Sequence, residues 1–161
     1  MSTSLHPLTR SDLEALAADR YESTQFAIAD GALPPQHVLA RALRFLAQGQ
    51  PERWCTTFLV VVPERTVVGA CGFKGAPAHR RVEVGYGISP AYQCQGHATA
   101  AVRALLAIAF ASAEVSEVLA QVGATNAAST RVVAKLGFTA SGTAVDENNE
   151  HLVQWVAQND A

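Results

Sequence analysis

The run Val82-Glu83-Val84-Gly85-Tyr86-Gly87-Ile88-Ser89, followed by Gln93-Cys94-Gln95-Gly96-His97-Ala98 and then by an Ala/Leu/Val-rich stretch to Ala113, decides the fold. Val82, Val84 and Tyr86 alternate with Glu83 and Gly85, which predicts a strand over Arg81 to Ser89. Apolar residues at Ala98, Val102, Leu105, Ala109 and Phe110 form the buried stripe of a helix from about Gly96 to Ala113. A strand that hands a turn of small side chains to a helix N-terminus makes an anion cradle. The N–H groups of the first helical turn have no intrahelical acceptor, and they sit at the positive end of the helix dipole, roughly half an elementary charge. Gly96 and Ala98 are small enough for the backbone to approach phosphate oxygens closely. Taken alone, the pattern Gln93-x-x-Gly96-x-Ala98 fits a tight strand–helix turn without a ligand equally well.

A second pattern further along breaks that tie: Asn126-x-x-Ser129-x-x-Val132-x-x-Lys135-x-Gly137-Phe138. Together the two segments resemble the GCN5-related N-acetyltransferase (GNAT) family, whose pyrophosphate loop reads Arg/Gln-x-x-Gly-x-Gly/Ala. The second segment resembles the branch that acetylates ribosomal-protein N-termini and its small relatives. The close resemblance covers about a third of the chain.

The element order of the remainder agrees. Ser11-Asp12-Leu13-Glu14 predicts a cap and a short helix to about Ala18. Pro34-Pro35 opens a second helix with apolar positions at Val38, Leu39, Leu43, Phe45 and Leu46, and Gly49 stops it. Apolar, β-branched runs predict strands over Thr56 to Val62 and Thr66 to Phe73; these and the Arg81 strand are separated by turn-forming segments and are expected to be antiparallel neighbours. Val115 to Val122 reads as a strand parallel to the Arg81 strand across the intervening helix. Asn126 caps a helix to Leu136, Gly137 ends it, and strands over Phe138 to Ala144 and His151 to Ala157 close the chain. A weak first strand fits Leu5 to Leu8, and Gln158 to Ala161 reads as a frayed tail. The resemblance implies a GNAT fold for residues 1–161 as a single N-acetyltransferase domain. This is an α/β (by some schemes α+β) architecture: a mixed, mostly antiparallel sheet of about seven strands with four helices, its splayed strands forming an acyl-CoA cleft.

The 161 residues, 49% apolar and 16% charged, suffice for one continuous core. A formal charge of −2, with ten Arg and two Lys scattered along the chain, lacks the clustered basic face that nucleic acid demands. The beginning of the chain has no basic region leading into an apolar one, and the apolar stretch after Gly96 is interrupted by Arg103 and too short for a bilayer. The expectation is a soluble, cytoplasmic protein that engages neither nucleic acid nor membrane and exists as a monomer or homodimer. Cys55, Cys71 and Cys94 form neither a disulfide framework nor, with the five histidines, a metal pattern.

What the resemblance implies about chemistry is specific. Acetyl-CoA is the co-substrate. The N–H groups of Gln93, Cys94, Gln95, Gly96, His97, Ala98 and Thr99 would hold its phosphates, while the strand edge at Tyr86 and Ile88 would pair with the pantetheine amides. Asn126 would bind the cofactor arm with its NH₂ while its oxygen caps the helix. Ser129 would hydrogen-bond the departing thiolate, whose pKa of about 8.5 calls for no strong acid. Other branches carry a Tyr seven residues after the Asn; Val133 stands there instead. Glu83, in a Val-Glu-x-Gly-Tyr context, is the candidate base for the amine, directly or through water. Relatives also commonly carry Glu after the helix-opening Thr, where this chain has Ala100. That departure removes any warrant for carrying over ribosomal-protein specificity, so the acceptor amine is either a peptide N-terminus or a small molecule. Its wall is expected from the two early helices and the Gly75 to Arg80 loop. A noncatalytic acyl-CoA-binding module is the alternative; a nucleotide-binding domain is disfavoured because the loop comes after three strands and lacks a P-loop Lys.

Overall fold

The computed structural model describes residues 3–159. In chain order its elements are β1 (Ser4–Pro7), α1 (Arg10–Ala17), β2 (Ala27–Ile28), α2 (Gln36–Ala47), β3 (Thr57–Val62), β4 (Thr66–Phe73), β5 (Arg81–Ile88), α3 (His97–Phe110), β6 (Glu117–Gly123), α4 (Ala127–Lys135), β7 (Thr139–Val145) and β8 (His151–Gln158). All eight strands belong to one sheet, ordered β1-β3-β4-β5-β6-β8-β7, with the two-residue β2 alongside β4. The expected sheet of about seven strands thus gains β2, whose two exposed residues are too short a signal for alternation to reveal.

Pairing follows the expectation. β3, β4 and β5 are antiparallel neighbours, and β5 and β6 are parallel across α3. The β5–β6 ladder ends early: Arg81 to Val84 face Glu117 to Ala120, after which Gly85 to Ile88 pair only with β4 and Gln121 to Gly123 only with β8. The two central strands therefore diverge at Val84 and Ala120, opening a wedge. Gly69 of β4 makes that divergence sterically possible, because a Cβ there would lie 2.3 Å from the Gly87 carbonyl. Only glycine lets β5 lean this far toward β4 as it leaves β6.

Each sheet face carries its own core. Val60, Val62, Val68, Val82, Val84, Val118 and Ala120 pack with Val102 and Leu105 of α3 and Val133 of α4. Leu59, Val61 and Val67 pack on the opposite face with Leu13 and Leu16 of α1 and Leu39 and Ala42 of α2. Each buried Leu or Val contributes about 1.5–3 kcal/mol of transfer free energy, so two helix pairs clamp the sheet from both sides.

Several boundaries differ from the sequence reading. Thr9, not Ser11, caps α1. Its Oγ1 accepts the Asp12 N–H (3.1 Å) and its own N–H donates to the Asp12 carboxylate (2.9 Å), a reciprocal capping box that outcompetes the simpler serine cap. α3 stops at Phe110 because Ser112 Oγ accepts the Glu114 N–H and Arg80 takes the Ala113 carbonyl, turning the chain. β6 accordingly begins at Glu117, although Val115 is buried. The tail is tied down further than expected. Gln158 belongs to β8, and the Asn159 N–H donates to Ser116 O at 3.0 Å; Asp160 and Ala161 lie outside the described residues.

Candidate active site

Two cavities meet at the wedge. The larger, about 520 Å³, is bounded by the end of β5, the Gln93–Thr99 turn and α4. Gly96 starts α3 in the left-handed region (φ 89°), and a Cβ there would meet nothing within 4 Å. The first helical hydrogen bond runs from the Ala100 N–H to the Gly96 carbonyl (3.0 Å), leaving the His97, Ala98 and Thr99 N–H groups ahead of any helical acceptor. Arg131 and Lys135, one turn apart on α4, add two cations to the rim. An open backbone turn, a helix N-terminus, two cations and a strand edge free on its β6 side are what a diphosphate followed by a diamide arm needs. The residues present fit coenzyme A.

The smaller cavity, about 340 Å³, lies on the α2 side of the sheet. Its wall is drawn from Pro34, His37, Val38, Arg41 and Phe45 around α2, from Ala70, Gly72 and Lys74 on and after β4, and from Gln121 to Gly123 of β6. Tyr86, Gly87, Asn126 and Ser129 line both cavities, so the wedge is their shared doorway. Neither α1 nor the Gly75 to Arg80 loop contributes to the smaller cavity, contrary to expectation. α1 packs against α2 and lines no part of it, and Gly75 turns under Phe45, where a Cβ would come within 2.9 Å of its ring.

At the doorway, Asn126 Oδ1 accepts the Ser129 N–H (3.1 Å), so the residue caps α4 while its NH₂ remains free. The Tyr86 hydroxyl is buried and makes no hydrogen bond among the described residues. Burial pushes its phenol pKa up, the neighbouring Ser129 hydroxyl drawing it partly back; the two oxygens are near neighbours without hydrogen-bond geometry. A raised pKa keeps this hydroxyl protonated throughout the neutral range.

The structure brings Tyr86, Ile88, Gln93, Cys94, Gly96, Ala98, Thr99, Asn126 and Ser129 around the larger cavity. Gln93 Nε2 also donates to the Ile88 carbonyl (3.0 Å), pinning the turn to the strand end. The Gln95 and His97 side chains point elsewhere: Gln95 Nε2 donates to Ala91 O (3.1 Å), and His97 Nδ1 pairs with Thr3 Oγ1 (3.0 Å). Glu83 lines neither cavity. It accepts from Lys74 Nζ (2.9 Å) and Gln121 Nε2 (3.2 Å), and both of those residues do line the smaller one. Sequence reasoning missed Arg41, Lys74, Arg131 and Lys135 as wall residues. The i, i+4 spacing of Arg131 and Lys135 behind Asn126 was the one signal that could have found a pair of them.

The acetyltransferase (GNAT) domain family matches residues 3–139. The chain belongs to this family. Its chemistry is acetyl transfer from acetyl-CoA to an amine. A curated relative, the uncharacterized N-acetyltransferase YoaA of Bacillus subtilis, is 27% identical over 141 residues, covering 86% of this chain and 80% of its own length. Among solved structures, a ribosomal-protein-S5-alanine acetyltransferase from Vibrio fischeri superposes with a TM-score of 0.69 at 18% identity, over 99% of this chain and 94% of that one. An aminoglycoside acetyltransferase, AAC(6')-Ib, in complex with coenzyme A gives 0.67 at 19% identity, over 98% and 95%. At these identities the two structures bear on the fold alone. Among the described residues no helix is long and apolar enough to cross a membrane.

Proposed function

We propose that residues 1–161 act as one acetyl-CoA-dependent N-acetyltransferase, cytoplasmic, that acetylates a primary amine by direct attack within a ternary complex. The observation that carries this reading is the pair of cavities joined through Tyr86, Gly87, Asn126 and Ser129. Two reactants entering from opposite faces of the sheet would meet at that doorway, with no need for a covalent enzyme intermediate.

Acetyl-CoA supplies an activated acyl carbon and a leaving thiolate. The Gln93–Thr99 backbone, with Arg131 and Lys135, holds the phosphates; the free edge of β5 takes the pantetheine amides. Main-chain N–H groups near Tyr86 and Ile88 polarise the thioester carbonyl. Ser129 hydrogen-bonds the sulfur as the C–S bond breaks and the thiolate takes its proton from water, with Tyr86 as the buried hydroxyl behind it. The amine nitrogen forms the new C–N bond and loses a proton to Glu83 through water, since Lys74 and Gln121 stand between that carboxylate and the cavity. An α-amine with pKa near 8 is roughly 10% neutral at pH 7, so a relayed base suffices for such an acceptor.

Coenzyme A release, followed with a thiol reagent against a panel of amines and peptides, tests the reading. Turnover is expected with at least one amine and should fall sharply in Glu83→Gln. Acetyl-CoA binding without release for any amine would make the chain an acyl-CoA-binding module; absence of binding would overturn the assignment of the larger cavity.

A further inference from the structure

The smaller cavity has a sign. Arg41 and Lys74 line it, His37 stands exposed at its mouth, and no Asp or Glu is among its lining residues. Lys74 is engaged by Glu83. Arg41 is half-buried and has no hydrogen bond or ion pair among the described residues; Glu83 and Arg44 reach it only through their fields. A guanidinium carries five donors in a rigid fork matched to an oxyanion, and leaving it partly desolvated and unpaired costs free energy that a bound carboxylate or phosphate would offset.

Resting on the acetyl-transfer reading above, we propose that the acceptor is an amine that also carries an oxyanion, a carboxylate or phosphate, bound by Arg41 in the cavity between α2 and β4. The same charge helps the chemistry. Cations near an ammonium group disfavour its protonated form, so the wall that binds the anionic end of the acceptor also lowers the pKa of its amine. A polyamine or other purely cationic acceptor meets repulsion there instead.

The test compares kcat/KM for matched acceptors: an amino acid, its uncharged carboxamide, an amino alkyl phosphate, the corresponding amino alcohol, and a polyamine. With the wild type, the carboxylate or phosphate member of each pair should exceed its neutral partner by about 10- to 100-fold, the scale of one charge-assisted hydrogen-bond pair. Which pair shows the larger ratio identifies the anion. Arg41→Gln should abolish that ratio while leaving the calorimetric affinity for acetyl-CoA unchanged; Arg41→Lys should restore part of it. Thermal shift gives a readout independent of turnover: the anionic amine should stabilise the wild type and not Arg41→Gln. Equal rates for charged and neutral partners, a polyamine as the best acceptor, or an equal loss for all acceptors in Arg41→Gln would overturn the proposal while leaving acetyl transfer standing. Acetyl-CoA binding with no turnover of any amine, and no thermal shift by an anionic one, would overturn both.

Discussion

The two cavities are built by different means. The larger joins a backbone half, a left-handed glycine, a helix N-terminus and a strand edge from β5 and α3, adjacent in the chain, to a wall from α4. The smaller is made of side chains from α2, β4, β5 and β6, brought together only by the sheet order. Backbone sites leave a short contiguous motif because glycine and small residues must occupy fixed places. Side-chain sites leave none, because any position on the right face of the right element will serve. A fold can therefore hold one reactant constant while exchanging the other.

Substitutions at the shared doorway should abolish that division and have the largest effect. A Cβ at Gly87 would meet nothing within 4 Å, so Gly87→Val projects into the junction of both cavities. The expected result is loss of turnover by more than about 100-fold with the fold intact by circular dichroism, since misplacing reactants by an ångström costs that much.

Next come Ser129→Ala and Tyr86→Phe. Each removes a hydroxyl at the doorway, and kcat should fall about 10- to 100-fold while KM for acetyl-CoA changes little. Because burial holds the Tyr86 phenol above its ordinary range, the pH–kcat profile should show no loss from its ionisation until pH exceeds the usual phenol pKa. An alkaline limb at lower pH that vanishes in Tyr86→Phe would contradict this environment.

Arg131→Ala with Lys135→Ala sharpens the contrast from the cofactor side. The double variant should raise KM for acetyl-CoA about 10-fold and flatten its dependence on salt, without altering preference among acceptors. A changed acceptor preference would mean that the two cavities are not separable.

The strand–turn–helix half is legible in the sequence: the Gln93–Ala98 turn, the Asn126 cap and the parallel β5–α3–β6 unit all stand where the residues predict them. The cavity on the α2 side is not legible there, for reasons that can be named. Arg41 looks like any polar residue on an amphipathic helix until β4 is placed beneath it, and Lys74 follows a strand with nothing to mark its partner Glu83. Glu83 itself sits on the face the alternation assigned to it, but its ties to Lys74 and Gln121 depend on sheet register, which alternation cannot supply. β2 is too short for alternation to reveal, and the Thr9 cap is hidden because its box partner Asp12 lies inside Ser11–Glu14, which itself reads as a cap.

The smallest expected effect lies where the central strands are still joined. Arg81 and Gln158 hydrogen-bond the Glu117 carboxylate and hold its pKa below the ordinary range. Its contribution is therefore present at neutral pH and is lost as pH falls through that lowered value. Glu117→Gln should cost less than about 1 kcal/mol at pH 7, as befits a partly exposed ion pair, and the difference from wild type should disappear on acidification. Urea denaturation at two pH values would measure it.

The early parting of β5 and β6 has a mechanical meaning. Four facing residue pairs form the ladder that joins the slab β1–β5 to the slab β6–β8, with α3 packed across one side. The stretch Gly85–Ile88, paired with β4 but parted from β6, is as long as that ladder itself, so a load that pries the two slabs apart acts on those four pairs at full leverage. Rupture of this protein under tension should begin there, at the blunt end of its own cleft.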